Sequence, residues 1–276
     1  SAPKLFWDAW RNLLTHPTSL RLGETLGRLG ALVPTGLFDN SRIAHFLHEA
    51  YTRHGRTDDF RELKRKLYIV AVDLDNGEAV RFGAEGWDDV PISKAVQASA
   101  ALPALYPPVE IHGRQFVDGA LRRTMHASVA FDAGIDLFIG INPLVPVDAS
   151  HARRSRGDKT PRLASGGLPM VLSQTFRTLL QSRMQVGMQR HAQQYDDIDQ
   201  LVFEPSPRDG DMFFTNAFSY GARADVCDFA HAATLADLRE RYDELAPVLA
   251  RHGLTLRREI LDAPHASLSS SLEAPP

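Results

Sequence analysis

Apolar residues at the start of the chain recur at helical spacing. Leu13, Leu14, Leu20, Leu22, Leu26 and Leu29 predict two helices between Leu5 and Leu32, divided by Pro17. Val33-Pro34-Thr35-Gly36 breaks the pattern. Asp39 or Ser41 is placed to cap a further helix reaching about Arg53, with Ile43, Phe46, Leu47 and Ala50 on one face. The period then changes. Leu67 to Val72 is a continuous apolar run, as expected of a strand covered on both faces. Asn76-Gly77 is a turn signal, and Ala79 to Phe82 reads as the returning strand. Pro91 marks a helix start, and Ile92 to Leu102 is the helix. Val109 to His112 and Gln115 to Val117 flank Gly113 as a hairpin. Thr124 to Ala133 reads as a helix ending at Gly134, and Asp136 to Asn142 as a second buried strand around Leu137-Phe138-Ile139. Met170 to Gln194 predicts a long amphipathic helix, Leu201 to Phe203 a short strand, and Asp225 to His252 one or two more helices. Strands alternating with helices indicate an α/β fold.

Between these elements, residues 148–167 are polar and read as a flexible loop, and Pro264 to Pro276, rich in Ser, Ala and Pro, reads as a disordered tail. There is no internal repeat. At 276 residues the chain suits one large domain with appended helices. Its 43% hydrophobic residues are enough for a real core.

A formal net charge of -3 gives no general basic field, which argues against nucleic acid as a partner. Arg153, Arg154, Arg156, Lys159 and Arg162 form a local exception. A solvated loop explains that run more simply than contact with anionic lipid headgroups. Cys227 is the single cysteine, so an intramolecular disulfide is excluded, and it reads as a packed thiol. His and Cys show no zinc spacing, and no cofactor motif appears. No stretch of about 18 apolar residues occurs, so a cytoplasmic or peripheral membrane location is expected. Ser1-Ala2-Pro3-Lys4 has no signal-peptide layout and reads as a cut end. Ser1 as an autoprocessed nucleophile is disfavoured by Pro3 and the helical pattern after it.

Candidate chemistry concentrates between Ile92 and Asn142. A helix of small residues stops at Pro103, and the hairpin that follows delivers Asp118 at a strand end, directly before Gly119. Strand ends are where ligands meet loops in α/β folds. Gly119 permits a tight turn or close backbone approach. Asp-Gly by itself is more often a surface turn.

The surroundings reverse that balance. Ala98-Ser-Ala-Ala-Leu-Pro103, then Pro107-Pro-Val109, then Val117-Asp-Gly-Ala120 resembles the patatin-like phospholipase family. Gly36-Leu-Phe-Asp-Asn-Ser41, Asp73-Leu-Asp-Asn-Gly-Glu78 and Gly134-Ile-Asp-Leu-Phe-Ile-Gly140 resemble flanking segments of the same family. The resemblance covers Gly36 to Pro143. It implies a three-layer sandwich with a mainly parallel central sheet, truncated at the N-terminus, plus C-terminal helices. It also implies Ser–Asp dyad chemistry on lipid esters, with Asp118 as the proton acceptor in a motif Asp118-Gly119-Ala120, and a Gly-rich loop as oxyanion donor.

Two departures matter. No Gly-x-Ser-x-Gly elbow occurs in the 276 residues, and no Gly-rich loop precedes the aspartate, so the N-terminal portion reads as lacking. The motif is followed by Leu121-Arg-Arg-Thr-Met-His126, where the family commonly places Asn and Pro. Ser99, inside the small-residue helix, and Ser165, in the polar loop, are poor substitutes for the nucleophile. His126 near a helix start reads as structural. Asp73-Leu-Asp75 faintly resembles a phosphatase Asp-x-Asp, but Asn76-Gly77 marks a turn instead.

The expected layout is N-terminal helices over 1–35, a partial patatin-like domain over 36–205, a helical region over 206–262 and a tail over 263–276. The expected parent is a lipid acyl hydrolase, and the chain alone is expected to be inactive. The alternative is an inactive module that binds lipid or a partner. An unpaired sheet edge predicts lower stability or a homo-oligomer, and peripheral membrane contact is a further expectation.

Overall fold

The computed structural model describes residues 38–53, 55–103, 105–123, 125–146, 148, 167–206 and 220–263. The two helices read before Leu32, most of the polar loop with Ser165 and its basic run, and the tail from Pro264 lie outside the described residues. The chain divides into two compact units, Ser1–Arg122 and Arg123–Pro276.

In the first unit α1 (Ser41–Thr52) precedes β1 (Ile69–Asp73) and β2 (Ala79–Phe82), then α2 (Ile92–Ser99), β3 (Val109–Ile111) and β4 (Arg114–Asp118). The strands form one sheet in the order β2-β1-β4-β3, and every pairing in it is antiparallel. The β3–β4 hairpin turns at His112 and Gly113, whose φ values of 50° and 72° are those of a two-residue turn that matches strand twist. Helix α2 packs against β1 and β4. The core beneath it contains Ala71, Phe82, Ala95, Ala98 and Phe116. Phe82 meets Phe116 edge-on at 5.3 Å and Trp87 at 5.5 Å. Each buried phenylalanine contributes roughly 1.5–3 kcal/mol relative to exposure.

Polar contacts fasten α1 and α2 across the sequence. Asp58 accepts Ser93 N–H and Ser93 Oγ–H, both at 2.7 Å, and also meets His48 Nδ1 at 2.8 Å. It therefore caps α2 from 35 residues away, because Pro91 at that helix start offers no side-chain cap. Buried Asn40 and Gln97 bond one another at 2.9 Å, and Asn40 Nδ2 donates to the Gln97 carbonyl at 3.3 Å. At the far end of β4, Arg114 pairs with buried Asp73 and lies over the Trp87 ring at 5.3 Å.

The second unit contains α3 (Ser128–Phe131), β5 (Leu137–Ile141), α4 (Gly167–Gln194), β6 (Asp199–Phe203), α5 (Tyr220–Glu240), α6 (Tyr242–Arg251) and α7 (Arg258–Asp262). Strands β5 and β6 pair in parallel, with Ile139 opposite Leu201. Phe131, Phe138 and Met188 pack together on one side. Arg241 lies over the Phe203 ring at 5.5 Å, and Asp199 holds Arg251 and His252, both at 2.7 Å.

Several expectations need correction. The mainly parallel central sheet is not observed: the four-stranded sheet is antiparallel, and parallel pairing is confined to β5 and β6 among the described residues. An apolar run reports cover on both faces, not direction. The short connection from Asp73 to Ala79 allows only a hairpin, since a parallel crossover needs a dozen or more residues. The helix from Thr124 is confined to Ser128–Phe131, because Met125 and His126 take φ values of 67° and 45° that no α-helix contains. Helix α2 stops at Ser99 rather than Leu102. Phe46 points outward while Ile43 and Leu47 turn in, and β5 leaves Ile139 and Ile141 exposed. Cys227 is exposed rather than packed.

Candidate active-site carboxylate

Asp118 ends β4, and three independent contacts fix its backbone. It lies opposite Ala71 in the antiparallel register with β1. Its N–H donates to the Ala101 carbonyl at 3.0 Å, just beyond the end of α2. The following residue, Gly119, is buried under β1: a Cβ built there would lie 2.3 Å from the Val70 carbonyl oxygen. Gly119 is needed for that close approach, because its φ is not in the left-handed region.

The side chain of Asp118 is half-buried. Oδ1 accepts the Ala120 N–H at 2.8 Å and so caps the short 3-10 turn Gly119–Leu121. Burial pushes the carboxyl above its ordinary value, and the Ala120 N–H pulls it back without overcoming the burial. A partly desolvated carboxylate with one weak donor is a better base than one held by an arginine.

Asp73 shows the contrast on the neighbouring strand. There the Asp75 N–H, followed by Arg114, holds the carboxyl below its ordinary value. Asp73 is therefore tied into a turn and an ion pair, while Asp75 sits exposed in the turn itself, which does not converge with it on a phosphatase-like site.

Ser99 has a role the sequence did not give it. Its Oγ donates to the Val70 carbonyl at 2.8 Å, the same oxygen that Gly119 approaches. The hydroxyl is thus engaged in joining α2 to β1 behind Asp118. The Ala-Ser spacing in the small-residue helix was visible, but its partner 29 residues away was not. His126 falls in the second unit, where its carbonyl accepts the Val129 N–H at the start of α3.

The small-residue helix, the hairpin and the Asp-Gly-Ala turn together invite comparison with known families. Residues 2–131 match the family model for patatin-like phospholipase. The match meets the resemblance read from Gly36 as far as residue 131, leaves the Gly134–Gly140 segment outside it, takes in the N-terminal stretch, and spans just under half of the chain. The patatin-like segment contains all of β1 to β4, α2 and Asp118. The matched segment is thus similar to patatin-like phospholipases. Among the described residues, no helix is long and apolar enough to cross a membrane.

Proposed function

We propose that the patatin-like segment supplies the proton-accepting carboxylate of a lipid acyl hydrolase that works by a Ser–Asp dyad. Asp118 takes the proton of a serine hydroxyl as that oxygen attacks the ester carbonyl. It returns the proton to the leaving alkoxide, and the acyl-serine is then hydrolysed by water activated in the same way. The observation that carries this reading is the state of Asp118: half-buried, raised by burial, and placed at a strand end by backbone contacts rather than by an ion pair.

The attacking hydroxyl is not set in a Gly-x-Ser-x-Gly elbow anywhere in these 276 residues. The chain as given is therefore inactive on its own, since nucleophile and oxyanion donors each lower the barrier by several kcal/mol, about 2.7–4 for one oxyanion donor. The same sequence fact supports the second reading, a catalytically silent module that binds lipid or a partner. No cofactor or metal is required by either.

The two readings separate in an esterase assay on the whole product of the gene that contains this chain. Under the first, a lipid or nitrophenyl ester is turned over, and Asp118→Asn lowers kcat by about 10²–10⁴-fold with little change in KM. Full activity in the Asp118→Asn protein would remove Asp118 from the chemistry, and no activity in the unmodified product would favour the silent module.

A further inference from the structure

Three elements meet at the root of Asp118, and one hydroxyl joins two of them. The registered pairing of β1 with β4 stops at Ala71 and Asp118. One residue back along β1, the Val70 carbonyl oxygen accepts Ser99 Oγ–H at 2.8 Å. Two residues beyond Ser99, the Ala101 carbonyl accepts the Asp118 N–H at 3.0 Å. The end of α2 therefore grips both strands where their ladder stops, β1 through a side chain and β4 through the backbone. Gly119 passes between them, and its missing Cβ is what lets it approach the same Val70 oxygen. A serine inside a helix ordinarily returns its hydroxyl to a carbonyl one turn earlier. Ser99 sends it instead to a strand 29 residues away. Ala98, Ala100 and Ala101 beside it carry no side-chain donor, so this hydroxyl is what the end of α2 offers to β1.

We infer that Ser99 is a positioning residue for Asp118: its hydroxyl fixes the Val70 carbonyl and, through it, the distance between β1 and β4 at the carboxylate. With the Val70 oxygen held, β1 closes over the root of the Asp118 side chain and leaves room only for a glycine after it. Released, this end of β1 can part from the Gly119 turn, because the registered ladder has already stopped. Water then reaches a carboxyl that is raised by burial. The titration of Asp118 therefore reports whether the hydroxyl acts on it. For the reaction rate, the inference rests on the proton-accepting role proposed above for Asp118; for the titration it does not.

The test compares Ser99→Ala, Ser99→Thr and Ile92→Val in the full chain. The Asp118 carboxyl is followed by carbon NMR and identified by its loss in Asp118→Asn. Ser99→Ala should lower the Asp118 pKa toward the ordinary carboxylate value. Ser99→Thr keeps the hydroxyl and should keep the wild-type titration. Ile92→Val loosens the buried opposite end of α2 without touching Ser99 or Val70, and should also leave the titration in place. Should the Ala protein fail to fold, Ser99→Cys, close in size and a weak donor, takes its place with the same expected shift. In the whole product of the gene, Ser99→Ala should lower kcat by about 10–100-fold with little change in KM, and Ser99→Thr should restore it. An Asp118 titration unmoved by Ser99→Ala, or moved equally by Ile92→Val, would overturn the inference whatever the protein hydrolyses. So would a Thr protein that titrates like the Ala protein, or an active gene product whose kcat Ser99→Ala leaves unchanged. A shifted titration in a gene product that hydrolyses no ester would support the positioning role while removing the dyad reading.

Discussion

The Cα of Gly119 lies under the carbonyl oxygen of Val70, so close that a methyl group there would come within 2.3 Å of it. The obstacle is backbone in a central strand and cannot swing aside. Gly119→Ala should therefore push the end of β4 away from β1 and cost about 1–3 kcal/mol. Because Asp118 immediately precedes it, the carboxyl should gain water and titrate closer to its ordinary value. Urea unfolding and a carboxyl NMR titration of the variant check both effects. An unchanged Asp118 titration in a destabilised variant would show that Gly119 supports the strand without setting the carboxylate.

Asp118 itself should limit stability near neutral pH. Burial raises its carboxyl in the folded chain, so folding favours the protonated form. Its contribution is fully present below the unfolded value and is lost as pH rises through the folded one. Asp118→Asn keeps an oxygen to accept the Ala120 N–H and removes the charge. The variant should be more stable at neutral pH, by up to about 2 kcal/mol, as is common when a functional group held in an unfavourable setting is replaced. The gain should vanish at acidic pH. Denaturation midpoints across that range decide it, and a gain that is constant with pH would point to some cause other than the charge.

These two positions also mark what the sequence could convey. Local turn chemistry was legible: Asn76-Gly77 and Gly113 located both hairpins, and the second of them located Asp118 at a strand end. Strand direction was not, because the apolar run at β1 records burial and says nothing of its neighbours. The residues that hold the carboxylate in place were hidden for a different reason. Ser99 reaches Val70 and Asp58 reaches Ser93 over separations of 29 and 35 residues, and neither pairing leaves a periodic trace. Phe46 sits at the right spacing for an inner face yet points out, since spacing fixes a stripe only to within a residue either way.

Asp58 provides a test of the non-local cap. Asp58→Ala removes both acceptors at the start of α2 and the contact with His48 on α1. A cap of this kind is worth roughly 0.5–2 kcal/mol, and the loss of two acceptors places the expected cost at the upper end. Asp58→Asn keeps one acceptor for the Ser93 N–H and should recover part of that loss. A thermal melt of the three proteins gives the order wild type, Asn, Ala. If Asn proved as damaging as Ala, the charge rather than the cap would be responsible.

His191 should make the second unit sensitive to mild acid. Its ring stacks edge-on against Phe131 at 5.1 Å and meets Tyr195 at 6.0 Å, and its Nδ1 is buried with no hydrogen-bond partner among the described residues. Burial lowers its pKa, Arg123 and Arg190 lower it further, and Asp132 opposes them without prevailing. Folding therefore favours the neutral imidazole. Its contribution is present above the unfolded value near 6.5 and is lost as pH falls from there through the folded value. Urea midpoints of the wild-type chain should fall between about pH 7.5 and pH 5. His191→Phe removes the titration while keeping an aromatic ring against Phe131, and no hydrogen bond at Nδ1 is forfeited. That variant should match the wild type within about 1 kcal/mol at the higher pH and lose less stability on acidification. Parallel pH profiles for the two proteins would place the acid sensitivity on another group.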